Sequence, residues 1–505
     1  MQSVHLPNFR RILTLCACVL SVAACSSPFN SPSAATNPIY TLNKGGKCVQ
    51  LGNTPNGPYI NTPITGKQYA AHSEPNIAED PTNPLHLIGG SKYFTNTAKY
   101  LFQIGTFVSF DGGCTWTDTG PLPGFPAAYT TSDISFAFGP DGSIYAAVLY
   151  TDNNNLSGIS VSISHDGGRT FGNPVTVYED TSGATFSDKP WIAVDDTHSP
   201  YRGNVYVVWS YDNNQPPCGS SIPCVQELAF SSSTNGGASF SAKKIINGSA
   251  AFCTNPGQGR PSNSLQCDGA LGAIPAVEPD GTVVVADAYI DILNNPPKIP
   301  TRMLAVASHD GGNTWNAPSL IDQIHDLPSP FPGQNYRNFS LPALAADPKS
   351  GKLYLTWPDE TANGSEIMLA TSADEGQTWT QPITVNPDSA SADVNHFQPQ
   401  IAVAPDGVVS ISYFSTQADI TQQYIDVYVI QSNTGGNSFH APIRVTLQSW
   451  NPLIDEPIDN NGSGFIGDYQ GLAADNNFTH PLWNDSITGI QEIFTASIPS
   501  LQPNS

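Results

Sequence analysis

Six octapeptides carry the most regularly spaced acids in this 505-residue chain: SFDGGCTW (Ser109–Trp116), SHDGGRTF (Ser164–Phe171), STNGGASF (Ser233–Phe240), SHDGGNTW (Ser308–Trp315), SADEGQTW (Ser372–Trp379) and SNTGGNSF (Ser432–Phe439). An acid on a glycine-rich backbone could ligate a cation or move a proton. Neither chemistry fits the whole set. Asn235 and Thr434 stand where the acid should be, and one or two carboxylates per octapeptide fall short of the six or more oxygens that calcium takes. What all six share is turn chemistry. A side-chain oxygen accepts from backbone N–H groups just downstream, glycine takes the left-handed conformation, and the closing Trp or Phe buries a large ring.

The reactive side chains left over are few, because only 12% of the residues are charged. Arginine, whose planar fork pairs bidentately with a carboxylate, occurs six times beyond residue 24, as Arg169, Arg202, Arg260, Arg302, Arg337 and Arg444. Two of these are placed at strands: Arg337 (NYRNFSLP) directly precedes one, and Arg302 (TRMLAVAS) begins another. Asp133, Asp188, Asp359 and Asp485 stand at the ends of apolar segments, where an acid either caps the strand or exchanges protons. Lys189 and His396 hold similar places, and Trp191, Tyr211, Tyr289, Trp357 and Trp483 present faces on which sugar rings could stack. At least half of those rings are expected to be packing alone.

These residues must be positioned by a second repeat. Seven segments each run as a short apolar strand, a turn rich in Asp, Pro or Gly, and a strand ending near an aromatic: Pro75–Phe94, Asp133–Tyr150, Lys189–Tyr211, Gly272–Tyr289, Leu341–Trp357, Gln398–Phe414 and Tyr469–Trp483. Six are followed by an octapeptide and the last by IQEIFTASI (Ile490–Ile498). The serines that open successive octapeptides lie 55, 69, 75, 64 and 60 residues apart, a period that suits one four-stranded sheet with its loops. The many turns agree, with 43 Gly and 44 Pro. The expected fold is all-β, a single β-propeller over residues 46–505 with seven four-stranded blades, six being the alternative count. The hairpin supplies strands A and B, strand C leads into the octapeptide, and strand D follows it. The seventh unit lacks D, so an N-terminal strand should close the ring and remove the exposed sheet edges; KCVQLG (Lys47–Gly52) is available. The octapeptides then lie at one end of the channel, and the A-strand starts and B–C loops form the other, where the candidate residues gather.

Residues 1–24 read as a lipoprotein signal peptide. Arg10 and Arg11 precede ILTLCACVLSVAA, an apolar run too short to span a bilayer stably. VAAC (Val22–Cys25) resembles the lipobox of bacterial lipoproteins, whose cysteine is acylated. The mature chain is expected to begin at lipidated Cys25 and continue through a flexible tether, residues 25–45. It would be exported and held on the bacterial cell envelope by lipid alone, as a monomer. Without the leader it carries 17 basic and 42 acidic side chains, a net charge of −25, which disfavours nucleic acid. Six cysteines remain for disulfides, most economically Cys218 with Cys224, Cys253 with Cys267, and Cys48 with Cys114, out of 15 pairings. No CxxC pair or histidine cluster signals a metal site, and no cofactor is expected.

The sixfold S-x-D-x-G-x-T-W pattern resembles the Asp-box repeat of the sialidase (neuraminidase) superfamily, from roughly Cys48 to the end of the chain. The resemblance implies a propeller that acts on or binds glycans, with hydrolysis by an exo-acting glycosidase as its catalytic form. In that family three arginines hold the substrate carboxylate, a tyrosine assisted by a glutamate attacks the anomeric carbon, and an aspartate serves as acid and base, a departure from the two-carboxylate scheme. Carried onto this chain, the nucleophile would be Tyr469 in GDYQGLA, with Asp468 or Asp188 handling the proton. Arg337, Arg302, Lys189, His396 and Glu74 would bind substrate. The first arginine has no counterpart: SEPNIA puts Glu74 there, and a full triad is not visible. The mouth therefore suits a neutral sugar, a cation or a polar peptide better than a sialic acid carboxylate. The alternative is a non-catalytic carbohydrate- or protein-recognition propeller.

Overall fold

The hairpins and octapeptides fold into seven antiparallel sheets, six of which take their strands in chain order. The structure is a computed structural model that describes residues 40–42, 48–50, 62–65, 70–213, 225–253, 264–291, 300–362, 364–386, 394–459 and 462–503. The leader, Cys25, Cys218, Cys224 and Arg260 lie outside the described residues. The first strands of blades 1 to 7 are Ala70–Asp80, Thr130–Phe138, Thr185–Val194, Ala270–Val277, Ala343–Ala346, His396–Val403 and Gly471–Ala474. Each lies against the next, and the seventh lies against the first, so the sheets form a closed seven-bladed β-propeller. The count of seven holds and the alternative of six does not.

Blade 7 takes its fourth strand from the N-terminal side, but not from the segment expected. Thr62–Pro63 pairs with Glu492–Thr495, and Ile64 N–H donates to the Ile493 carbonyl at 2.9 Å. Cys48–Gln50 instead pairs with Tyr40–Leu42 in a separate two-stranded ribbon. Thr62–Pro63 stands directly before the first strand of blade 1, so the chain closes the ring with a short passage, and proline is acceptable because the strand is an edge.

Second strands are buried on both faces between neighbouring blades; Val283–Tyr289 and Val409–Ser415 have no exposed residue. Outer strands are short and wet, as Ile383–Thr384 shows. The core is therefore a series of seams. Ile88 and Val108 of blade 1 meet Ile144 and Val148 of blade 2, and Val161 meets Val207 and Trp209 across the next seam.

Every octapeptide makes one turn at its C–D junction. In Ser308–Trp315, the Thr314 N–H and Oγ1 donate to Asp310 at 2.8 and 2.6 Å, and Gly312 N–H donates to Ser308 Oγ at 2.9 Å. Asn235 and Thr434 accept the equivalent N–H, from Ser239 at 3.1 Å and Ser438 at 3.0 Å. Neutral acceptors fit because the oxygen, not the charge, is what the turn uses. Gly312 has φ 86°, and a Cβ there would stand 2.2 Å from Phe230 Cζ of the preceding blade. Trp315 packs edge-on to that same ring at 5.0 Å. Phe171 is buried and the other five closing rings are half-buried, so the rings cover the seams rather than vanish into them. Cys253 and Cys267 stand at disulfide distance, 2.10 Å between sulfurs.

Candidate functional site

Five of the seven first strands break their pairing at the same place. Two residues oppose one after Ser73, Ser132, Asp188, Leu271 and Phe397, and the first of the two is left-handed: Glu74 (φ 52°), Asp133 (54°), Lys189 (50°), Gly272 (69°) and Gln398 (49°). Such bulges re-aim a side chain. Only Gly272 adopts this conformation without strain; the others each cost on the order of 1–2 kcal/mol. Leu341 and Tyr469 stand two residues before the short first strands of blades 5 and 7. The strain is thus concentrated where the four polar residues of the set are turned to one another at the mouth.

Asp468 is the electrostatic hub. Arg337 donates to it bidentately, Nε to Oδ1 at 2.9 Å and Nη2 to Oδ2 at 2.7 Å, and Lys189 Nζ reaches Oδ2 at 2.5 Å. Burial alone would raise its pKa, but Arg337 and Lys189 hold it well below the usual carboxylate range. Lys189 in turn is opposed by burial and held above its ordinary value by Asp468, Asp188 and Asp133. Its Nζ is 3.9 Å from Asp133 Oδ1. Tyr469 donates its hydroxyl to that same Asp133 oxygen at 3.2 Å, while Lys92 pairs with Glu74 at 2.6 Å. Burial raises Asp133 against the pull of Lys189, and burial together with Asp133 raises Glu74 against Lys92. The Tyr469 phenol is raised well above its ordinary value by burial and then by Asp133.

Beside this cluster opens a cleft of ≈ 570 Å³ between blades 1, 2 and 3, a size that suits a small ligand. Glu74, Asp133, Asp188, Lys189 and Arg337 form its charged floor, and Tyr100, Phe102 and Phe186 stand along it. Phe186 is 38% exposed. Trp191 meets the Tyr469 ring edge-on at 5.5 Å. The buried cations Lys92, Lys189 and Arg337 are matched to carboxylates of the chain, while Lys99, exposed, stands at the edge of the cleft.

Of the residues singled out from sequence, Glu74, Asp188, Lys189, Arg337, Asp468 and Tyr469 come together here. Arg302 does not: it begins the third strand of blade 4, away from the axis, with its guanidinium 5.7 Å from the Tyr289 ring. His396 is fully buried, edge-on to Tyr413 at 5.4 Å, and Gln398 two residues on takes the channel-facing place. Asp359 accepts the His325 N–H at 2.8 Å and Asp485 the Ile487 N–H at 2.8 Å, so both cap strand ends. Trp357 and Trp483 are wholly buried, and Tyr211 stacks under Lys243. Sequence reasoning missed Lys92 and Tyr100. Lys92 is a buried cation amid the apolar second strand of blade 1, and that mismatch was the available signal.

No family model matches the chain, and no curated protein matches it. Similar solved structures include a protein of unknown function from Dyadobacter fermentans, 12% identical over 88% of this chain and 99% of that one, TM-score 0.46. A Hadza microbial sialidase is 16% identical over 79% of this chain and 74% of its own, TM-score 0.45. An α-L-arabinanase of Penicillium chrysogenum, complexed with arabinobiose, is 13% identical over 71% and 94%, TM-score 0.45.

Proposed function

We propose that the mouth is a glycan site for a neutral sugar, and that the protein is a glycoside hydrolase of sialidase-like design in which Tyr469 attacks the anomeric carbon. The observation that carries this reading is the Tyr469 hydroxyl donating to Asp133 at the axis, beside the cleft. In the first step the phenol oxygen bonds to the anomeric carbon and passes its proton to Asp133. The glycosidic bond breaks, and Asp188 protonates the departing oxygen. In the second step water replaces the tyrosine, giving its proton to Asp188, while the phenol recovers its own from Asp133. A raised Asp133 is a stronger base than a surface carboxylate, and the concerted transfer spares the cost of a free buried phenolate. Asp468, locked ionised between two cations, has no proton to give and instead positions Arg337 and Lys189. A neutral ring is favoured because the buried cations Lys92, Lys189 and Arg337 are each committed to a carboxylate, and a substrate carboxylate would have to displace Asp468 from Arg337.

Recognition without turnover is the second reading, favoured by the near-complete burial of Tyr469 and Asp133, 6% and 5% exposed. Under either reading the protein works outside the cytoplasm as a monomer anchored through Cys25. A panel of aryl glycosides that includes a sialoside separates the two. Turnover of a neutral glycoside, lost by at least about 100-fold in Tyr469→Phe, with an acid limb above the ordinary carboxylate range because Asp133 must be ionised, supports hydrolysis. No turnover on any glycoside with retained glycan-array binding supports recognition, and neither result sinks the glycan reading altogether.

A further inference from the structure

A different set of side chains converges where the ring closes, at the end of the channel away from the mouth. Glu79 is the penultimate residue of the first strand of blade 1, Asp475 opens the A–B turn of blade 7, and His480 lies in the second strand of that blade. One donor atom from each lies within 4.8 Å of the other two. We infer that Glu79, Asp475 and His480 form a site for one divalent transition-metal ion of the zinc type, bound across the seam between blades 7 and 1.

The donor set and its supports both favour this. Zinc takes imidazole nitrogen together with carboxylate oxygen, and the imidazole sets this donor set apart from the all-oxygen sites of calcium and magnesium. Asp475 is aimed by its own turn, where Oδ1 accepts the N–H groups of Asn477 at 2.5 Å and Phe478 at 3.0 Å. His480 is fully buried, and its Nδ1 lies 3.2 Å from Ser497 Oγ, the kind of outer contact that orients a ligating imidazole. The position itself is telling. His480 packs beneath Gly113 of the next blade's octapeptide, as Tyr145 packs beneath Gly237 and Tyr354 beneath Gly436. Blade 7 thus puts a ligating ring where blades 2 and 5 use phenols. An adjoining cleft of ≈ 520 Å³, lined by Glu79, Asp475, Asn476 and Asn477 among others, gives the ion an entry path and room for a completing water.

This inference is independent of the chemistry at the mouth. Its test uses the whole chain stripped with a chelator and titrated calorimetrically with zinc chloride, and with calcium chloride in parallel. One equivalent of zinc should bind and raise the melting temperature, as any ligand of the native state alone does. Asp475→Asn and Glu79→Gln should each weaken that binding at least tenfold while the far-ultraviolet circular dichroism stays that of the wild type. His480→Gln should do the same; because it is buried, the half-exposed Glu79 carries the decision if that variant misfolds. A zinc isotherm with no one-to-one component, calcium bound in zinc's place, or undiminished zinc binding by folded Asp475 and Glu79 variants would overturn the assignment.

Discussion

Asp468 sets the electrostatics of the mouth because a fully buried carboxylate holds two cations at once, Lys189 at 2.5 Å and Arg337 at 2.7 Å. Removing the charge leaves Lys189 with Asp133 at 3.9 Å and Arg337 with Asp459 at 3.8 Å as their remaining carboxylates, which is costlier than losing a surface pair. Asp468→Asn should therefore destabilise the fold by about 3 kcal/mol in urea unfolding, near the low end for a broken buried pair, since Arg337 remains 27% exposed and partly screened. Its folded pKa lies below the unfolded value, so this contribution is present above the ordinary carboxylate range and fades only as pH falls through the depressed value. Glu74 and Asp133 have the opposite sign: raised by burial, each contributes stability at acid pH that is lost as pH rises through its folded value. An Asp468→Asn protein as stable as the wild type at pH 7 would show that the two cations find water or other partners.

At the scale of the element, the octapeptide acts through its second glycine rather than through its acid. Gly312→Ala meets two separate obstacles, the left-handed backbone and the Phe230 ring 2.2 Å from the new Cβ. Gly142→Ala meets only the first, having φ 82° and nothing within 4 Å. The expected losses in urea unfolding are about 1 kcal/mol for Gly142→Ala, from backbone strain, and about 3 kcal/mol for Gly312→Ala, from strain plus overpacking. Equal losses would mean that the seam yields and that the turn, not its contact with the neighbouring blade, is what the repeat preserves. The repeat was legible in the sequence for the same reason: glycine, a turn acceptor and an aromatic at fixed offsets are the residues such a contact needs, and the hairpins between them are apolar strands joined by turns rich in Asp, Pro or Gly. The inner-strand bulges were less legible. Glu74, Asp133, Lys189 and Gln398 occupy them in place of glycine, so no residue type announces the kink. The closing strand was not legible, since two residues, one of them Pro63, carry no alternation to read.

At the scale of the whole molecule, both candidate sites exist only because the ring closes. The mouth draws Glu74 and Lys92 from blade 1, Asp133 from blade 2, Lys189 from blade 3, and Asp468 and Tyr469 from blade 7. Apart from Lys92, which lies in a second strand, its polar members stood out in the sequence because they stand at or near the starts of first strands, but their pairings did not, since Tyr469 meets Asp133 and Lys189 meets Asp468 across the ring, out of reach of any spacing rule. Arg302 was misplaced by treating the start of a third strand as equivalent to the start of a first. The seam itself is held by few groups. Thr62–Pro63 covers the edge of Glu492–Thr495, and Ile64, 5% exposed, enters a cluster with Ile77 and Leu87 of blade 1 and Leu482 and Ile493 of blade 7. A chain begun at residue 66 would leave that edge bare and the cluster short of one large side chain. Loss of a buried isoleucine alone costs about 2–5 kcal/mol, and an uncovered strand edge is a template for pairing with a second molecule. The shortened protein should melt well below a chain begun at Tyr40 and elute as oligomers in size-exclusion chromatography. Monomers with an unchanged melting temperature would show that the three-stranded blade 7 closes the ring unaided.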